Sequence, residues 1–140
     1  MTDLGDRING ILHEPTQVHD DGRVDLTVAA ITRVIEPGRI DFGGGELEAA
    51  STEPIPTTRR HPDDEYEWWN LDAGTYLATF NESLRGGEPI RIQPRDALLV
   101  RGGYHPGLRV PTLSPIPVTV GGAGLRLKEN ARITTATVPG

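Results

Sequence analysis

The chain has 140 residues, no cysteine and a formal charge of −6. That length supports one domain with its own core, and the missing cysteines exclude a disulfide framework, a thiolate zinc site and a thiol nucleophile. The acidic balance disfavours long nucleic acid but not a single small anion, because an arginine cluster or a Mg²⁺ can invert the sign of one pocket.

In chain order, Met1 to Leu12 can hold one short helix. The acidic start lacks an apolar leader segment, so no signal peptide is expected. The longest aliphatic run, Ala97 to Val100, falls far short of the roughly 20 residues that span a bilayer. No membrane contact is expected, and the cytoplasm is the expected compartment. Val24, Leu26 and Val28 alternate with Arg23, Asp25 and Thr27, a half-buried strand pattern. Val28 to Ile35 reads equally as strand or helix.

Gly43-Gly44-Gly45 reads as a hairpin tip, since Glu46 and Glu48 would repel a phosphate. Residues 49–65 hold three prolines, six charged residues and little apolar content, which predicts a surface excursion. Tyr66, Trp68 and Trp69 then return the chain to the core or to a subunit contact. Further alternating runs follow at Tyr76–Phe80, Ile90–Ile92, Val118–Val120, Leu125–Leu127 and Ile133–Thr137. Seventeen glycines and twelve prolines punctuate these runs. The expectation is a single all-β domain over residues 1–140, a sandwich, roll or barrel with one short helix at most.

Several residues are candidates for chemistry. The four histidines form no HExxH or HxH pattern, so no dedicated zinc site is expected. No GxSxG elbow, SxxK or phosphate-cradling P-loop occurs. His105 lies in Gly102-Gly103-Tyr104-His105-Pro106-Gly107, a turn that presents side chains to solvent or ligand, or holds a histidine with no role. Asp25 should face away from the core. It either pairs with Arg23 or another arginine, or contacts a metal-bound water or a ribose. Arg95 and Asp96 mark either a pocket rim or a surface salt bridge.

Three strings together resemble the dUTPase/dCTP deaminase superfamily, especially its archaeal-type members. They are Glu14-Pro15-Thr16-Gln17-Val18, Gly22-Arg23-Val24-Asp25-Leu26-Thr27-Val28 and Glu36-Pro37-Gly38-Arg39-Ile40-Asp41. The resemblance continues through Leu71-Asp72-Ala73-Gly74-Thr75-Tyr76, Pro94-Arg95-Asp96-Ala97-Leu98 and Glu129-Asn130-Ala131-Arg132-Ile133-Thr134. It implies a β-clip fold, a distorted antiparallel roll that assembles as a homotrimer with sites between subunits. It also implies a deoxynucleoside triphosphate bound with Mg²⁺. Asp25 then matches the acidic residue that organises the metal through water. Arg95 matches the phosphate-binding arginine, with Asp96, Gln17 and Arg132 in the matching phosphate-binding segments.

The chain departs from the family in two places. Asp96 and Ala97 stand where the phosphate motif has two serines. The carboxylate-bearing third motif is replaced either by Tyr104-His105-Pro106-Gly107, with His105 as base, or by Gly121-Gly122-Ala123-Gly124 after a deletion. The resemblance therefore supports two expectations. One is a nucleotide hydrolase that converts dUTP to the monophosphate and pyrophosphate. The other is a non-catalytic β-clip trimer acting in assembly or ligand sensing.

Overall fold

A computed structural model describes residues 3–139. The chain begins with helix α1 (Leu4–Arg7), strand β1 (Ile8–Asn9) and helix α2 (Glu14–Gln17), which carries Pro15 in its first turn. Strands β2 (Val24–Glu36), β3 (Ser51–Pro54), β4 (Trp68–Leu71), β5 (Gly74–Phe80), β6 (Ser83–Leu84) and β7 (Ile90–Pro94) follow. Helix α3 (Asp96–Leu99) precedes β8 (Gly103–Tyr104), β9 (Leu108–Val110), β10 (Ile116–Val120), β11 (Leu125–Lys128) and β12 (Arg132–Thr137). Among the described residues, three one-turn helices stand where one short helix at most was expected. Four-residue helices are too short to show a 3.6-residue hydrophobic repeat.

The fold is all-β, and every strand pairing is antiparallel. The main sheet runs β8-β10-β5-β2-β12-β7-β9, with β3 on β2, and it curls into a half-barrel. Two small ribbons, β1-β6 and β4-β11, flank it.

β2 organises the sheet. Its 13 residues include the whole ambiguous segment Val28 to Ile35, which is strand. β-branched Val, Ile and Thr fit that pleated surface better than a helix. β2 changes partners along its length, from β12 at Val24–Thr27 to β5 at Val28–Arg33 and β3 at Thr32–Glu36. Val24 to Val28 are all buried, so both faces of the strand are covered there, and from Arg33 onward the strand is exposed.

The core combines the inward sets predicted by alternation: Leu26, Val28, Ala78, Ile92, Val118 and Ile133 are each at most 4% exposed, and Ile31 joins them. Burying a Leu or Ile side chain contributes roughly 1.5–3 kcal/mol. Trp69 also joins the core and donates its indole N–H to the Ile55 carbonyl at 3.1 Å. Trp68, its neighbour on β4, lies on the ribbon's other face. Residues 49–65 run along the surface, with β3 fastened to the distal half of β2. Among the described residues, no helix is long and apolar enough to cross a membrane.

Candidate functional site

Alternation turns Asp25 away from Leu26 and the core, as expected. Exposure does not follow, because Asp25 is only 1% exposed. The second face of β2 is covered there by α2, by Arg132 and Thr135 of β12, and by Arg95 at the end of β7. Asp25 sits opposite Thr135 in the β2-β12 register, and the Thr135 hydroxyl donates to Oδ1 at 3.1 Å.

The other oxygen, Oδ2, gathers three cationic or donor groups. Arg132 Nη1 donates to it at 2.9 Å, His19 Nε2 lies at 2.9 Å and Arg95 Nε is ion-paired at 3.5 Å. A carboxylate can only accept, so His19 carries its proton on Nε2. Arg23, the nearest arginine in sequence, pairs instead with Asp21 at 2.8 Å.

Arg95 is placed by the end of β7 and the start of α3. Its backbone N–H bonds to the Ile133 carbonyl at 2.9 Å, and its Nη1 to the Arg132 carbonyl at 2.9 Å. Arg132 Nη1 also reaches the Thr16 carbonyl at 3.2 Å. The Asp25 side chain is 2% exposed, whereas those of Arg95, His19 and Arg132 are 25%, 32% and 33% exposed. The carboxylate is therefore inside, and the two guanidiniums and the imidazole that donate to it reach the surface. Two guanidiniums on one carboxylate leave a local positive charge on a chain of net charge −6. Guanidiniums held by a buried carboxylate are preorganised for planar, bidentate anion recognition.

Gln17 is buried beneath this cluster. Its Nε2 donates to the Asp25 carbonyl at 3.0 Å and to Glu82 Oε2 at 2.9 Å. Its Oε1 accepts from the Leu12 and His13 N–H groups at 2.7 and 3.0 Å. Gln17 thus ties the N-terminal segment to β2 and presents no free group to a ligand. Glu82 is also buried. It accepts from the Thr27 N–H at 2.8 Å and the Thr27 hydroxyl at 2.6 Å.

Asp96 and His105 lie outside the cluster. Asp96 is exposed in the first turn of α3. His105, expected on a solvent-presenting turn, is fully buried. Its Nε2 is 2.8 Å from the Thr134 hydroxyl and its Nδ1 is 3.0 Å from the Pro106 carbonyl. A carbonyl only accepts, so Nδ1 bears the proton and Nε2 accepts from Thr134. Desolvation by burial holds the ring below its ordinary value of 6.5. This histidine is neutral and hydrogen-bonded at both nitrogens, which leaves no lone pair for a water. His19, Thr135 and Glu82 were not singled out by the sequence. His19 meets Asp25 only six residues on, across a turn with no periodic pattern, while the partners of Glu82 and Thr135 lie far along the chain, and only the period-2 pattern of the last strand hinted at Thr135.

Beside Arg132 opens a cleft of about 520 Å³ whose lining includes His13, Thr16, Tyr66, Lys128 and Asn130. It offers an aromatic face and two cations next to the Asp25 cluster. The Asp25 oxygens suit arginine rather than a directly bound Mg²⁺, because both are already occupied by donors from this chain. Among the described residues, no three histidine or acidic side chains form a metal-holding group. No family model and no curated protein matches the chain.

Proposed function

We propose that this chain is a dUTPase-like nucleotide-binding protein, a cytoplasmic β-clip homotrimer. In this reading Arg95 and Arg132 receive the phosphates of a deoxynucleoside triphosphate. The observation that carries it is the pair of partly exposed guanidiniums fixed on buried Asp25 beside the Tyr66-lined cleft. Asp25 is then a positioning residue, and the arginines contact the ligand. Fixed guanidiniums lose little entropy on binding an oxyanion. Mg²⁺ enters the proposal as the counter-ion that a triphosphate carries, and no step is routed through it.

The same geometry favours the non-catalytic form of this reading. Hydrolysis needs a group that activates water. Asp25 is saturated with donors, and His105 is buried with both nitrogens bonded.

The test is a thermal-shift titration with dUTP and dCTP, with and without Mg²⁺, alongside assays of pyrophosphate and ammonia release. A saturable rise in Tm that is lost in Arg95→Gln and Arg132→Gln supports nucleotide binding. Pyrophosphate release restores the hydrolase reading, and ammonia release would mark a deaminase. No shift with either nucleotide overturns the proposal. Light scattering at a single chain mass would overturn the trimer.

A further inference from the structure

The outward face of the β4-β11 ribbon carries a second cluster, which shares only Lys128 with the cleft beside the Asp25 site. Registry places Trp68 opposite Lys128 and Asn70 opposite Arg126. Trp69, Leu71 and Leu127 turn inward and are buried, so the alternate set faces out. The segment at Thr58 lies along the free edge of β4. The Thr58 and Trp68 backbones exchange two hydrogen bonds of 2.8 Å, and Asn70 Nδ2 donates to the Thr58 hydroxyl at 2.9 Å.

Thr58, Arg60, Trp68, Asn70 and Arg126 together line a pocket of about 290 Å³. The Arg60 guanidinium stands 5.0 Å from the centre of the Trp68 ring, and Lys128 Nζ lies 5.8 Å from it. Two cations thus stand against one indole, and Arg126 lines the same pocket. The acidic side chain nearest to them is Asp64, whose carboxylate is 4.0 Å from Arg60 Nε. Arg126 has no acidic partner among the described residues.

Trp68 Nε1 is shielded from solvent and has no hydrogen-bond partner among the described residues. Native structures rarely leave a buried N–H unpaired without a reason. Trp69 next door satisfies the same group internally.

We infer that this pocket binds a small carboxylate with an apolar body. The carboxylate pairs with Arg126 and Arg60, and the body lies against the Trp68 ring. Guanidinium matches carboxylate in planar geometry, and the volume sits at the small end for small-molecule sites.

The test uses the full chain labelled with ¹⁵N, titrated with benzoate alone and with inorganic phosphate alone. The chain has two tryptophans, so two indole N–H resonances report, and Trp68→Phe assigns them. The expected result is a saturable shift of the Trp68 resonance with benzoate while Trp69 stays still. Arg126→Gln, an exposed change that spares the core, should raise half-saturation about tenfold, as the loss of one charge-assisted contact predicts. A shift that phosphate reproduces in full overturns the choice of an apolar carboxylate. No saturable shift, or one that Arg126→Gln leaves unaltered, overturns the site.

Discussion

Asp25 and His105 are held on opposite faces of β12, fastened by adjacent threonines. Thr135 donates to the Asp25 carboxylate, and Thr134 bonds the His105 ring. Successive strand residues point to opposite sides, so within one chain the acid and the imidazole cannot share a water. The two groups therefore make separate predictions.

Asp25→Asn keeps the shape of the side chain and removes the one negative charge that two guanidiniums share. The expected cost is about 2 kcal/mol. That is short of the roughly 3–5 kcal/mol for a fully buried pair, because the arginines are partly hydrated. Urea denaturation measures it. An unchanged midpoint would remove Asp25 from its positioning role.

His105 gives a dependence on pH. Burial lowers its folded pKa below the ordinary 6.5, so the unfolded chain takes up the proton first. Its stabilising contribution is complete above about pH 6.5 and is lost as pH falls through the lowered folded value. His105→Asn should be less stable at pH 8 and should show a flatter loss between pH 6.5 and 5. Parallel stability-versus-pH curves for the two proteins would contradict this.

Glu82→Gln tests the buried carboxylate that Gln17 and Thr27 share. The new amide can accept the Thr27 N–H through its oxygen, but its NH₂ then meets the Gln17 NH₂, donor against donor. A loss of about 1–3 kcal/mol is expected from the unsatisfied group, read from urea midpoints. Gln17→Glu in the same chain should rescue it only in part, because its second oxygen can accept the new amide but then faces the Asp25 carbonyl, acceptor against acceptor.

Two glycines make a matched pair. Gly124 has φ +79°, and a Cβ there would lie 2.7 Å from the Leu71 carbonyl oxygen. Gly45, in the triple-glycine tip, has nothing within 4 Å of such a Cβ. Gly124→Ala should cost about 2 kcal/mol or more, and Gly45→Ala should stay within about 0.5 kcal/mol. Similar melting temperatures for the two variants would count against this backbone.

The strands were legible because alternation is local. Tyr76–Ala78–Phe80 and Val118–Val120 announce an inward face within five residues, and both face the core. The burial of Asp25 was not legible. It depends on Arg132, 107 residues downstream, and on a second covered face that no local pattern encodes. The turn around His105 looked solvent-facing for a similar reason. Its glycines and proline describe backbone shape, whereas the hydroxyl that fixes the ring comes from Thr134 on another strand. Trp68 and Trp69 split between surface and core because adjacent strand residues must.

The change of cover along β2 gives one strand two stabilities. Its first five residues are closed in on both sides, while the stretch from Arg33 is bare. Amide hydrogens near Leu26 should exchange with deuterium only when the whole molecule opens, and those near Val34 through local fraying. The boundary between slow and fast exchange should fall between Val28 and Arg33, where the cover ends.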